Sequence, residues 1–272
     1  MAKDWQDRPI PRRPDAPTSL AYAEVPVDLS DPRSGEPLVD LADYGVAGQG
    51  YYARTDGQNP PYYRAFDTAH SAVRNRKSVA ERLRAVNESL VPFGAELFAL
   101  NGFRPVSLQR ELWDFFIAQA DVALSNPNEA ERVAFAATYC SDPRQFDPAD
   151  SRTWPVHATG GAIDITLRST QTGQPLFMGG NFDDPSAISH TASLEAESVR
   201  RGGANKFTES ECDALRNRRL LYWAMAEQDF TNYAYEWWHF DWGTQLWAIE
   251  AAADNDGAPR RAWYGLADAP SI

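Results

Sequence analysis

Two histidines, an aspartate and a glutamate stand in an order and spacing that suit a single catalytic metal ion. His157 is followed by the turn Gly160-Gly161 and then by Ala162-Ile163-Asp164-Ile165-Thr166-Leu167. The alternation reads as a strand with Ile163, Ile165 and Leu167 toward a core and Asp164 on the opposite face. A carboxylate among isoleucines is costly unless something pairs with it, and a divalent cation shared with His157 would be such a partner. A third donor is His239, three residues after Glu236 in Tyr235-Glu236-Trp237-Trp238-His239-Phe240. Three protein ligands leave one position of a tetrahedral zinc ion open to water, and a nearby unligated carboxylate takes a proton from that water. On this reading His157, Asp164 and His239 hold one zinc ion per chain and Glu236 is the base. In an ideal strand Glu236 and His239 point to opposite faces, so the chain must bend or bulge between them.

The pattern H-x-x-G-x-A-x-D from His157 to Asp164, followed by E-x-W-H from Glu236 to His239, resembles the zinc D-Ala-D-Ala dipeptidases of the VanX type, within the LAS group of metallopeptidases. The resemblance covers roughly residues 38 to 242. It implies an α+β fold, a single domain with a central, mostly antiparallel sheet flanked by helices, of the LAS and Hedgehog type. It also implies hydrolysis of D-Ala-D-Ala or a related D-amino-acid dipeptide, so the expected partner is a small peptide. Gly102-Phe103-Arg104-Pro105 matches a family turn whose arginine points at the reacting oxygen, where a guanidinium can meet developing negative charge. Met178-Gly179-Gly180-Asn181-Phe182-Asp183 matches M-G-x-x-F-D, which gives Asp183 the substrate's ammonium; without the family it reads equally as an Asx turn. The family's tyrosine at the substrate's amino end falls on Tyr44, with Tyr51 and Tyr52 as alternative matches. Trp237, beside Trp238, is expected to frame the substrate.

One departure concerns specificity. Where the family usually has a serine two residues before the first histidine, this chain has Pro155, which offers neither hydroxyl nor amide N–H. The pocket for the leaving D-amino acid must then be built differently. Two alternatives stay open: a D,D-carboxypeptidase or endopeptidase acting on peptidoglycan stem peptides, and a catalytically idle zinc protein that only binds a peptide.

Composition narrows the classes. A net charge of −12 argues against a nucleic-acid partner, and no run is long and apolar enough to cross a bilayer. The N-terminus has no apolar core of a signal peptide, so the expected location is cytoplasmic. Cys140 and Cys212 are too few for a disulfide framework. The oligomeric state is not legible.

These side chains need elements to position them. Residues 1–37 are rich in proline and read as an extended or partly disordered arm; residues 38–250 form the domain, and 251–272 a tail wrapped on its surface. A strand is expected over 38–41, then a helix over 68–90, with Val79, Leu83, Val86 and Leu90 on one stripe and Pro92 beyond its end. A second strand over 95–100 leads into a helix N-capped by Ser107, with Leu108, Leu112, Phe115 and Phe116 inward, and a short helix follows over 129–139. Residues 185–206 read as a mobile loop. Thr208-Glu209-Ser210-Glu211 is a capping box opening a helix to about 228, with Cys212, Leu215, Tyr222 and Met225 inward and Asn217-Arg218-Arg219 on a solvated basic face. Phe240, Trp242 and Trp247 continue as an aromatic strand. His70 and His190 are expected to face solvent or to cap.

Overall fold

The computed structural model describes residues 3–13, 21–253 and 260–267. In chain order its elements are β1 (Leu38–Asp40), β2 (Ala47–Gly48), β3 (Arg74–Arg76), α1 (Lys77–Leu90), β4 (Ala95–Asn101), α2 (Val106–Ala123), α3 (Glu129–Ala136), β5 (Ala162–Ser169), α4 (Ser193–Arg201), α5 (Glu209–Ala226), β6 (Thr231–Asn232), β7 (His239–Asp241) and α6 (Gln245–Ala253). Strands β2-β4-β5-β7-β6 form one sheet in that order, while β1 and β3 make a separate antiparallel ribbon. Within the sheet only β2 and β4 run parallel; the other pairs are antiparallel. The fold is α+β, as expected.

Strand β5 is the middle of the sheet because its apolar side chains leave water completely: Ile163, Ile165 and Leu167 are fully buried. Each contributes roughly 1.5–3 kcal/mol by burial. The face expected to be polar is covered too, since Ala162, Asp164 and Thr166 are also buried. That second face carries the cluster described below instead of meeting solvent. Helix α1 lays its stripe of Val79, Leu83, Val86 and Leu90, all fully buried, into the same core.

Several expectations are corrected. The first helix starts at Lys77, not at 68, because Arg74–Arg76 is drawn into pairing with β1, Leu38 opposite Arg76. His70 therefore lies outside any helix, and it is exposed. Helix α2 starts at Val106 with extended Pro105 as its N-cap, so Ser107 falls inside the first turn and does not cap it. Phe115 is only partly buried, unlike Leu108, Leu112 and Phe116. The stretch 185–206 contains helix α4, whose Glu197 pairs with Arg200 and Arg201 one turn on. Helix α5 has its capping box at Thr208 and Glu211 and buries Leu215 and Met225, but Cys212 and Tyr222 are only half-buried. Arg218, read as solvated, is 2% exposed. Trp247 belongs to α6 and not to a strand.

Both ends of the chain pack more deeply than their composition suggested. In the arm, Trp5 stacks on Phe93, Arg8 lies over the Trp223 ring, and Ile10, Tyr22 and Val25 are buried. In the tail, Ala262, Trp263 and Tyr264 are buried, and Ala262 bridges to Val27. Large aromatic side chains in polar segments supply the apolar area that holds them down. None of the helices among the described residues is long and apolar enough to cross a membrane.

Candidate active site

Strand register brings the first donors together. Asp164 lies directly opposite His239 on β7, and Asn101 at the end of β4 lies opposite Asp164 on its other side. Asn101, Asp164 and His239 therefore form a row across three adjacent strands. His157 arrives from a 3-10 turn, Val156–Thr159, which enters β5 through Gly160 and Gly161. That turn is held from β3: Asn75 donates to the carbonyls of Gly160 and Ala162, and Arg76 Nε donates to Thr159 O. Arg104 N–H donates to His157 O at 3.2 Å, tying the Gly102–Pro105 turn to the same place. Only glycine fits at 102, since a Cβ there would sit 2.4 Å from Arg74 O.

One donor atom from each of His157, Asp164 and His239 lies within 4.8 Å of the others, and all three residues are buried. The outer hydrogen bonds set the imidazole tautomers. His157 Nδ1–H donates to Gly102 O at 2.8 Å, which leaves Nε2 facing Asp164 Oδ2 at 3.3 Å. His239 Nε2–H donates to Asp241 Oδ2 at 2.7 Å, which leaves Nδ1 facing Asp164 Oδ1 at 3.0 Å. Asp241 is fully buried and accepts a second bond from Thr244 Oγ1 at 2.7 Å. Two ring nitrogens and a carboxylate thus converge on one point, where positive charge is favoured: a metal ion, or the second ring proton that the flanking carboxylates favour on His239. Such outer partners are how proteins orient metal-binding histidines. Two nitrogens and a carboxylate oxygen in a buried, closely spaced set fit zinc.

Electrostatics follow the same geometry. Burial alone would push the Asp164 carboxyl up, but His157 and His239 hold it well below the usual carboxylate range. Asn101 Nδ2 also donates to Asp164 Oδ2 at 2.8 Å. Burial lowers His157. For His239 burial acts downward, yet Asp241 and Asp164 together hold the ring well above its ordinary value.

The demanded bend is present. Residues 237–238 form a turn between Glu236 and β7, with His239 N–H donating to Glu236 O at 3.3 Å. Buried Asn232 holds that turn by donating to both Glu236 O (3.0 Å) and His239 O (2.9 Å). Glu236 Oε2 ends 3.7 Å from His239 Nδ1, with its side chain about a third exposed. In the metal-free chain burial pushes its carboxyl up to about 7.

Arg104 reaches the cluster from the other side. Its Nη2 donates to Asp164 Oδ2 at 3.4 Å and to the Tyr52 hydroxyl at 3.3 Å, while Nη1 donates to Gln109 Oε1 at 2.9 Å. Gln109, buried on α2, passes its own amide N–H to Ser141 O at 2.9 Å. Arg104 Nε is buried and has no protein partner.

Asp183 stands beyond Tyr52. The hydroxyls of Tyr52 and Tyr62 both donate to its Oδ2 at 2.9 Å. Burial, and next the charge of Asp164, push the Asp183 carboxyl up to about 6. Asp183, Glu236, Trp238, Tyr235, Tyr139 and His190 are among the walls of a cavity of about 180 Å³.

Two expected contacts are reassigned. Tyr44 ends a 3-10 turn, Leu41–Tyr44, and packs half-buried on the core, so the phenols at Asp183 are Tyr52, one of the alternative matches, and Tyr62. Trp237 is buried edge-on against Trp238, and it is Trp238 that lines the cavity, because the turn after Glu236 sends adjacent side chains to different sides. Asn101, Gln109, Tyr62, Asn232 and Asp241 were not singled out from the sequence. Asp241, two residues after a candidate ligand histidine, was the most readable of them.

A family model described as D-ala-D-ala dipeptidase, peptidase M15, matches residues 64–255. Among similar proteins, the D-alanyl-D-alanine dipeptidase of Synechocystis sp. (strain ATCC 27184 / PCC 6803 / Kazusa) is 29% identical over 179 residues, covering 62% of this chain and 68% of its own. That of Streptomyces coelicolor is 29% identical over 164 residues, 60% of this chain and 70% of its own. That of Enterococcus faecium is 36% identical over only 84 residues, 31% of this chain and 35% of its own. A solved structure, VanYB in complex with D-Alanine-D-Alanine, aligns with a TM-score of 0.39 at 16% identity, covering 67% of this chain and 76% of that one.

Proposed function

The chain belongs to peptidase family M15, the D-Ala-D-Ala dipeptidases, and from that premise we propose that it is a zinc-dependent dipeptidase hydrolysing D-Ala-D-Ala or a related D-amino-acid dipeptide. The observation that carries this reading is the convergence of His157, Asp164 and His239 within 4.8 Å, with the carboxylate of Glu236 left outside the set. Zinc held by those three residues would polarise the scissile carbonyl and make water a stronger acid at neutral pH. Glu236 takes a proton from the attacking water and delivers it to the leaving amine. Arg104, held in place by Gln109 and Tyr52, meets the negative charge that builds on the carbonyl oxygen. Asp183 binds the substrate's ammonium: its Oδ2 is occupied by two phenols, which leaves Oδ1 for the ligand. A substrate with a blocked amine leaves that carboxylate unpaired, which disfavours longer peptides. Pro155 caps the turn that carries His157, so recognition of the leaving residue cannot use a hydroxyl at that position.

The test is a zinc-loaded assay over alanyl-alanine dipeptides of all four stereochemistries, with free and acetylated amines. The expected result is hydrolysis of a free-amine dipeptide containing a D-residue, with about a 10- to 150-fold loss in kcat/KM on acetylation, as for a lost charge-assisted contact. Equal turnover of the acetylated peptide would favour a carboxypeptidase or endopeptidase. No hydrolysis of any member, with zinc bound, would remove the enzymatic reading.

A further inference from the structure

A buried guanidinium sits behind the site with no carboxylate among its hydrogen-bond acceptors. Arg218 on α5 is 2% exposed and spends its donors on four uncharged oxygens. Nε donates to Met178 O at 2.6 Å and Nη2 to Ile188 O at 2.8 Å; Nη1 donates to His190 O at 3.0 Å and Ser193 Oγ at 2.8 Å. Burial pushes its pKa down to about 9. A cation kept here without a counter-charge costs desolvation, and what it gains in return is the joining of four oxygens that no apolar side chain could hold.

The four acceptors lie at the two ends of one excursion of the chain. It leaves the core at Met178, carries Asp183 at its middle, and returns at Ile188 to Ser193, where α4 begins. Asp183 itself sits at φ +59°, in the left-handed region that few residues other than glycine, asparagine and aspartate enter. The returning end is also sewn to the stretch that carries Glu236. Trp237 N–H donates to Ser189 O at 2.9 Å, Thr191 N–H to Ala234 O at 3.0 Å, and Thr191 Oγ1 to Asn232 Oδ1 at 2.6 Å. Asn232 is the residue that holds the turn between Glu236 and His239. One planar fork therefore ties together the segment bearing Asp183 and, through its returning end, the turn bearing Glu236.

We propose that Arg218 is a positioning residue that sets the distance between the ammonium-binding carboxylate of Asp183 and the base Glu236, and so the length of peptide the site accepts. The inference rests on the roles given to those two residues above. A lysine cannot replace it, since an ammonium is a point donor and cannot span acceptors at both ends of the excursion as a planar guanidinium does.

The test uses the full chain loaded with zinc and the substitutions Arg218→Lys, Arg218→Met and Asp183→Asn, alone and combined. Arg218→Lys is expected to raise KM for the free-amine dipeptide about tenfold or more, with a smaller fall in kcat. In the Asp183→Asn background it should add no more than about twofold, because both changes remove the same contact. A role confined to stability would instead give additive losses, shared equally by a substrate analogue lacking the amine, and that pattern overturns the proposal. Should the Arg218 variants fail to fold, Gly179→Ala displaces the same segment while residue 218 stays an arginine. Gly179 is at φ +81°, and a Cβ there meets Ala214 Cβ and Leu194 Cδ1 at 3.2 Å and Arg218 Nη2 at 3.7 Å. It should reproduce the rise in KM, and wild-type kinetics in a folded Gly179→Ala protein would count against the proposal. Amide hydrogen exchange over 179–189 provides a readout independent of turnover: it should accelerate in Arg218→Lys, and unchanged exchange refutes the clamp. An inactive wild-type protein would refute the dipeptidase reading instead, so the two failures are distinguishable.

Discussion

Replacing Asp241 with alanine should weaken zinc binding about 10- to 100-fold, the range expected when the outer partner of a ligating histidine is lost. The magnitude can be worked from the hydrogen bonds. Asp241 Oδ2 accepts His239 Nε2–H at 2.7 Å, and this bond fixes a ring proton on Nε2, so that Nδ1, turned toward Asp164 and Glu236, is the nitrogen that can give up its proton to a zinc ion. Without that acceptor the ring can carry its proton on Nδ1, which then donates to Asp164 Oδ1 only 3.0 Å away and closes the ligand position. A bond to a charged group contributes about 1.5–3 kcal/mol, which corresponds to roughly 10- to 150-fold in affinity, at about 1.4 kcal/mol per factor of ten. Asp241→Asn should lose less, because its amide oxygen can still accept from Nε2 while the Thr244 hydroxyl turns to accept from the amide nitrogen. The assay is competition for zinc against a chelator of known affinity, with circular dichroism confirming the fold. Zinc affinity of a folded Asp241→Ala protein within about threefold of wild type would refute this account of how His239 is oriented.

Three further outcomes follow from the geometry. Glu236→Gln should retain one zinc per chain and lower kcat about 10²- to 10⁴-fold, the usual contribution of a general base; retention of full turnover would assign the base elsewhere. Gln109→Leu leaves Arg104 Nη1 and Ser141 O without their partner, so kcat should fall while KM for the dipeptide changes little, and an unchanged kcat would show that Arg104 needs no such support. In chelator-treated protein, Glu236 binds its proton more tightly folded, at about 7, than at its ordinary 4.5. The folded state holds the extra proton between those values, so this group's contribution to stability is full below about 4.5 and is lost as pH rises through about 7. Thermal unfolding of the metal-free wild type should therefore decline across that window more steeply than that of Glu236→Gln, and parallel curves would contradict the shift.

How much of this was readable in the sequence depended on whether a residue acts locally or across strands. The ligand motifs and the bend after Glu236 were legible because side-chain periodicity along a strand is a local rule, and Glu236 and His239 violate it at odd spacing. The stripe of α1 and the capping box of α5 were legible for the same reason. Asn101 was not, because its place beside Asp164 comes from the β4–β5 register, which includes a shift between Ala99 and Asn101. Arg218 was misread because a basic run on a helix normally faces water, and nothing nearby in sequence indicates four carbonyl and hydroxyl oxygens gathered from residues 178–193. Tyr52 and Tyr62 displaced Tyr44 on similar grounds: tyrosines close in sequence are separated by the turns between them, and only the fold decides which reaches Asp183. The arm and tail were underestimated because proline and polar content masked single large aromatics, Trp5 and Trp263, that anchor them.

X-ray absorption at the zinc edge on the purified, zinc-loaded chain tests the central claim most directly. The account predicts one zinc per chain in a nitrogen and oxygen environment with two imidazoles, and loss of one imidazole signal in either His157→Ala or His239→Ala. Sulfur in the coordination sphere, or a spectrum unaltered by both substitutions, would contradict it.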